Sequence, residues 1–241
     1  MLRVLRALAC GNTYIVKPSE RVPLTMQKLF RLFEEIGLPS GVVNLVNGAK
    51  NTVDLILEHP FIDAISMVGS TPVAKYIYET ASAKGKRAQC QGGAKNLSIV
   101  MPDADQESTT RILADSAFGS AGQRCLATSL VVTVGDAREW FTNAICEVAN
   151  NRKVGFGLDS GIEMGPVINP ESVLRISRLI GSGVDEGAEI LVDGRNASIS
   201  NYPNGNFIKP SVLKNVPHNG QVFKTEIFGP VLTIIPYDTE E

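Results

Sequence analysis

Apolar positions along the first part of the chain switch repeatedly between a strand period and a helix period. "TYIVK" (13–17) is a short β-rich run, and "PLTMQKLFRLFEEIG" (23–37) then sets Leu29, Phe30, Leu32, Phe33 and Ile36 on one helical stripe. Gly37 and Pro39 stop that helix. The alternation continues with a strand at 41–46, a short helix at 52–59 and a strand at 63–68. A helix at 71–85 follows, with Ser70 or Thr71 as cap, Pro72 in its first turn and Gly85 past its end. A further short strand covers about 86–90. Such alternation predicts parallel strands covered by helices, an α/β fold.

After "GGAK" (92–95) a second series begins, and a junction near 91–96 divides the chain into domains at 1–94 and 95–241. The second series predicts a strand at 97–101, a helix at 106–122, a strand at 129–134 and a helix at 136–151. A Gly- and Pro-containing loop leads to a helix at 170–183, and "AEILVDG", "NFIKPSVL" and "GPVLTIIPY" are strands with their connections. The start, "MLRVLRALACGNT", has the arginines and apolar middle of a targeting peptide without a convincing small-residue cleavage site. Its Ala-Leu content predicts a core helix instead.

Composition narrows the classes. With 241 residues, 44% hydrophobic and 20% charged, and a net charge of -2, the chain fits an ordinary globular protein. Lys and Arg are dispersed without aromatic interleaving, which argues against nucleic acid, and no apolar run reaches the roughly 20 residues that span a bilayer. The four cysteines form no CxxC pair, and with only His59 and His218 they make no metal-ligand set, so reduced thiols are expected.

Several places could carry chemistry. "ISMVGSTPVAKY" (65–76) runs from a strand ending at Gly69 directly into a capped helix, whose free N–H groups suit a phosphate; an ordinary strand-to-helix turn is the plain alternative. In "IVKPSE" (15–20), Lys17 can donate to a ribose hydroxyl and Glu20 accept from one, or the two can form a solvated pair. Cys125 in "FGSAGQRCLATS" sits among small residues with Arg124 beside it. A nucleophilic cysteine needs open approach and a lowered pKa, whereas an idle one is a buried small hydrophobe. The idle reading suits Cys10 and Cys146, which lie in apolar helical patterns, and Cys90 belongs to a strand end. No motif pairs Cys125 with either histidine. Glu226 in "TEIFGPVL" precedes a Gly-Pro turn, and its plain reading is a solvated carboxylate.

Taken in order, "ALACGNTYIVKPSE", "ISMVGST", "GGAKN", "GQRC" and "EIFGPVL" resemble the aldehyde dehydrogenase superfamily. "KPSERVP", "VMPDAD", "AFGSAGQRC" and "GNFIKPSVL" are similar to its CoA-acylating branch, the methylmalonate-semialdehyde dehydrogenases. The resemblance implies a Rossmann-type NAD-binding domain followed by an α/β catalytic domain. It also implies oxidation of methylmalonate or malonate semialdehyde, with NAD, to propionyl-CoA or acetyl-CoA, as in valine catabolism. Cys125 then matches the nucleophile that becomes a thioester, its backbone N–H helping to hold the oxyanion. Lys17 and Glu20 match the contacts to the adenosine ribose, and Gly69 and Ser70 the pyrophosphate turn. Glu226 matches the nicotinamide-ribose contact, Phe228 the side chain beside the ring, and Arg124 a partner for the substrate carboxylate.

Gln91 falls where acid-forming relatives carry the glutamate that activates water; a neutral amide cannot take that proton, which favours coenzyme A as acyl acceptor. The resemblance starts inside the family's nucleotide domain and stops inside its catalytic domain. A fragment of a longer chain is therefore expected, one that forms homo-oligomers when full length. A chain that binds nucleotide or partner subunits without catalysis, and an acid-forming dehydrogenase, are the alternatives. The resemblance implies a mitochondrial matrix location in a eukaryote and a cytoplasmic one in a bacterium.

Overall fold

The computed structural model describes residues 2–238. The chain divides between Gly93 and Ala94 into two compact units.

The first unit runs through α1 (Leu2–Ala9), β1 (Tyr14–Val16), α2 (Pro23–Glu35), β2 (Val43–Leu45), α3 (Lys50–Glu58), β3 (Ala64–Gly69), α4 (Thr71–Ala83) and β4 (Arg87–Gly92). β1 pairs in parallel with β2, and β3 with β4, as two separate pairs. The buried centre is small: Leu57 of α3 and Ile77 and Ala81 of α4, with Val53, Ile65, Met67, Ala88 and Cys90 packed around them. Both helices present these residues three or four apart, which is why α4 lays one face on the β3–β4 pair and α3 packs against α4. α4 ends where Gly85 adopts φ +72, a left-handed conformation that a side chain resists. In α1 the described side chains leave only Val4 buried and Leu5 exposed, so the expected core helix covers little. Cys10 is exposed too, contrary to the idle buried role expected of it, because it lies past the end of that short helix.

The second unit contains β5 (Asn96–Val100), α5 (Gln106–Phe118), a tight turn (Gly119–Gly122), β6 (Thr128–Val134), α6 (Ala137–Asn151), α7 (Pro170–Asp185), β7 (Glu189–Val192), β8 (Ser211–Lys214), α8 (Gln221–Lys224) and β9 (Val231–Tyr237). Its strands form one sheet in the order β5-β6-β9-β8-β7. All neighbours are parallel except β7 and β8, which are antiparallel; the period of apolar residues carries no information on that direction. β6 and β9 stand in the interior of the sheet, and β9 is buried at five successive positions from Val231 to Ile235. Both faces of such strands are covered, and their sequences read as continuous apolar runs. Phe118 of α5, Phe141 and Ile145 of α6, and Ile176 and Ile180 of α7 fill the core against Val131, Leu213 and Ile234 of the sheet.

Two predicted boundaries move for identifiable reasons. The helix expected over 106–122 ends at Phe118 because Ser120, Ala121 and Gly122 all take left-handed φ values of 53, 52 and 65. "NFIKPSVL" contributes a strand only from Ser211, immediately after Pro210, whose nitrogen has no hydrogen to donate to a ladder. Among the described residues no helix is long and apolar enough to cross a membrane.

Candidate active site

In the first unit, Lys17 and Glu20 follow directly on β1. The Lys17 Nζ donates to the carbonyls of Pro18 and Gly48, each at 2.7 Å, and lies 3.6 Å from the Glu20 carboxylate. Its own backbone N–H, ahead of Lys17, holds the Glu20 carboxyl below its usual value against the opposing effect of burial. The lysine is thus fixed by two backbone acceptors while the carboxylate stays exposed.

Gly69 closes β3 and Ser70 is the N-cap of α4, with extended backbone (φ -67, ψ 150) and no side-chain bond to the first turn. The first N–H groups of α4 are therefore not satisfied by a capping side chain, and they carry the positive end of the helix dipole. A Cβ on Gly92 would come within 2.8 Å of the Thr71 Cα, so the end of β4 approaches the start of α4 as only glycine permits. This turn has the free donors and bare backbone that a pyrophosphate requires. Gln91 lies in β4, exposed and in register with Val68 of β3.

In the second unit, Cys125 sits on the connection between the Gly119–Gly122 turn and β6, and it is exposed. Asn96, the first residue of β5, holds that connection: its Nδ2 donates to the carbonyls of Cys125 at 2.8 Å and Ala127 at 2.9 Å. Arg124 reaches back to α5, its Nη2 donating to the carbonyls of Asp115 at 2.6 Å and Ser116 at 2.9 Å. Those carbonyls lie in the last turn, where that of Asp115 also accepts the C-cap N–H of Gly119, and a cation at a helix C-terminus is favoured by the dipole. Arg124, expected to meet a substrate carboxylate, is here anchored by one arm to the protein's own backbone. Two successive left-handed non-glycine residues upstream, Ser120 and Ala121, cost roughly 1–2 kcal/mol each. Strain of this kind persists only where surrounding contacts impose it.

The next residue of the same turn, Gly122, meets the loop that carries Glu226 and Phe228. A Cβ on Gly122 would lie 2.1 Å from the Gly229 carbonyl oxygen, so the two loops meet backbone to backbone. Phe228 itself has φ +51 and is 40% exposed. A shallow cleft lies between the loops, lined by Asn96, Gly122, Arg124, Glu226, Phe228 and Gly229, with the exposed Cys125 next in sequence to Arg124.

Two cations not singled out from the sequence grip this loop. The Lys95 Nζ donates to the Thr225 carbonyl at 2.9 Å, and burial pushes its ammonium down to about 8, opposed by attraction to Glu226. The Arg175 Nη1 of α7 donates to the Ile227 carbonyl at 2.5 Å. Burial lowers that guanidinium as well, again against attraction to Glu226. Lys95 and Asn96 belong to the conspicuous "GGAKN" motif, but nothing local says which carbonyls they reach. Arg175 sits in an amphipathic helix without any signal of its own.

The candidate residues thus fall into two sets. Lys17, Glu20, Gly69 and Ser70 lie in the first unit, and Arg124, Cys125, Glu226 and Phe228 in the second.

Residues 1–241 match the aldehyde dehydrogenase family. The mitochondrial methylmalonate-semialdehyde/malonate-semialdehyde dehydrogenase [acylating] of Homo sapiens is 46% identical over 233 residues, covering 97% of this chain and 43% of the relative. Malonate-semialdehyde dehydrogenase 2 of Geobacillus kaustophilus is 47% identical over 234 residues, covering 97% of this chain and 48% of the relative. The crystal structure of the methylmalonate-semialdehyde dehydrogenase from Oceanimonas doudoroffii superposes with a TM-score of 0.94 at 43% identity, over 98% of this chain and 49% of that one. The betaine aldehyde dehydrogenase from Staphylococcus aureus, in complex with NAD+, gives 0.91 at 32% identity, over 99% of this chain and 48% of that one. The chain spans about half the length of the relatives it matches. With its whole length matched and its fold shared with these solved structures, the chain belongs to the aldehyde dehydrogenase family.

Proposed function

We propose that this chain carries the nucleophile and part of the dinucleotide site of an NAD-dependent, CoA-acylating semialdehyde dehydrogenase, with methylmalonate or malonate semialdehyde as substrate. The observation that carries the reading is an exposed Cys125 on a loop pinned by Asn96 and set backbone to backbone against the loop of Glu226 and Phe228. The relatives named for this reaction, at 46–47% identity, support the substrate class.

The Cys125 thiolate attacks the aldehyde carbonyl, forming a carbon–sulfur bond and an oxyanion that the Cys125 N–H helps to hold. NAD, when bound, supplies the acceptor for the hydride that leaves this carbon. The carbonyl re-forms as a thioester on Cys125; the substrate carboxylate then leaves as carbon dioxide and the carbon that carried it takes up a proton, which leaves a propionyl or acetyl group on the sulfur. Within the first unit, the α4 N-terminus at Gly69 and Ser70 suits the pyrophosphate, and Lys17 and Glu20 the adenosine ribose. In the second, Glu226 suits the nicotinamide ribose, and the exposed Phe228 ring, which lines the same cleft, would stand beside the nicotinamide. Arg124 supplies positive charge at the cleft for the substrate carboxylate. The coenzyme A thiolate then attacks the thioester carbon and releases Cys125, a transfer that needs no base of the kind Gln91 cannot be. The mitochondrial naming of the human relative supports a matrix location for a eukaryotic source, and a cytoplasmic one follows for a bacterial source.

The test is to supply full-length protein that contains this chain with malonate semialdehyde, NAD+ and coenzyme A. NADH formation together with acyl-CoA is expected, and peptide mapping without coenzyme A is expected to find the acyl group on Cys125. Cys125→Ala should remove the adduct and NADH formation together. An adduct on a different side chain, or rapid release of free acid without coenzyme A, would overturn the reading.

A further inference from the structure

Glu226 lies in a loop whose neighbouring carbonyls are both held by cations from distant parts of the chain. Lys95 reaches the Thr225 carbonyl from the start of β5, and Arg175 reaches the Ile227 carbonyl from α7. Both side chains are partly buried, and both are attracted to Glu226. Taking an ammonium out of water for one neutral acceptor is unfavourable unless a nearby negative charge offsets it. Glu226 offsets part of that cost for Lys95, and burial still outweighs it. The loop also has little freedom of its own: Phe228 is left-handed at φ +51, and the nearest atom to a Cβ on Gly229 would be the Ile176 Cδ1 at 2.6 Å. Ile176 is the residue after Arg175 on α7, so the same turn of helix supplies both a hydrogen bond and a wall.

We infer that Lys95 and Arg175 are positioning residues that clamp the Thr225–Phe228 loop at the two carbonyls flanking Glu226 and so set where its carboxylate stands. The consequence for dinucleotide affinity rests on the proposal that Glu226 holds the nicotinamide ribose. Neither cation needs to touch the nucleotide. They act by removing freedom that the loop would otherwise lose on binding.

The clamp is tested on the whole chain by amide hydrogen exchange in Lys95→Met and Arg175→Met, with Lys153→Met as an exposed control. Each clamp variant should speed exchange across Thr225–Phe228 by roughly tenfold or more, the factor expected for losing a hydrogen bond to a charged donor. Peptides of β6 should exchange as before. Lys95→Gln, which keeps an N–H donor, should recover part of the protection, and it decides the matter if Lys95→Met does not fold. Calorimetry with NAD+ should give a weaker Kd for both Met variants. In turnover the loss should fall on KM for NAD+ more than on kcat.

Unchanged exchange at Thr225–Phe228 in both Met variants would overturn the clamp. Accelerated exchange with full NAD+ affinity in Glu226→Gln would leave the clamp standing and remove only the ribose assignment.

Discussion

The two units differ in how much interior stands behind their chemistry. The second has a contiguous core running through α5, α6, α7 and all five strands, with Phe118, Phe141 and Ile145 fully buried. The first rests on Leu57, Ile77 and Ala81, and it leaves Leu24, Ile36, Leu55 and Phe61 exposed. The candidate nucleophile and the Glu226 loop therefore stand on a packed scaffold whose backbone is bolted by Asn96, Lys95 and Arg175. The nucleotide-binding candidates of the first unit depend on local devices: a strand-to-helix turn, a Gly92 contact and two carbonyls around Lys17. Precision in a site comes from the layer that supports it, and these two supports are of different kinds.

Paired core truncations test this contrast with the largest effects. Phe141→Ala should cost about 3–5 kcal/mol, and Leu57→Ala about 2–3 kcal/mol, the lower end for buried aliphatics, because its thinner surroundings can collapse into the gap. Denaturant melts read by hydrogen exchange would separate the units; equal costs would erase the contrast.

Gly122→Ala comes next. Its Cβ would meet the Gly229 carbonyl oxygen at 2.1 Å in a residue already at φ +65, and a loss of about 2–4 kcal/mol is expected. The loss should appear in exchange at both loops of the cleft and leave the α3–α4 pair unaffected.

A smaller effect is expected from pH. Burial holds the folded Lys95 ammonium near 8 rather than 10.5, so between those values the unfolded chain binds the extra proton. Glu226, which opposes the shift, and Arg175 beside it share the surroundings. Stability should then rise with pH by up to about 1.4 kcal/mol per unit across that window, and the gain should be lost as pH falls through about 8. Lys95→Met should flatten this slope in melts taken from pH 7.5 to 10.5.

The smallest effect belongs to the surface of the first unit. Lys75 and Glu79, 3.7 Å apart on α4, are both exposed, and Lys75→Ala should change stability by no more than about 0.5 kcal/mol. A larger loss would mean that this helix face is not solvated.

Much of this organisation is legible in the sequence. The period of apolar residues located nearly every helix and strand, since i, i+3, i+4 spacing and short β-branched runs report which faces need covering. The strand-to-helix turn at Gly69 and Ser70 could also be picked out from local order, whereas the residues around Cys125 left it open between an accessible nucleophile and a buried small hydrophobe. α8, four residues long, is too short for a periodic signal, and the expected helix over-extends through Gly119–Gly122 because nothing in "GSAG" announces three successive left-handed residues. Arg124 was expected to face a substrate; its bonds to the ends of α5 depend on a turn whose geometry no local pattern discloses.

The sequence by itself determined the succession of elements and the chemical types available, because capping, periodicity and turn preferences act over a few residues. Tertiary structure alone decided the strand order β5-β6-β9-β8-β7, the reversal of β7, and the meeting of Gly122 with Gly229. It also decided that Lys95 would find the Thr225 carbonyl, 130 residues away along the chain. Contacts at that separation are selected by how the whole core packs, and a side chain's identity says what it can bond but not what packing will bring to it.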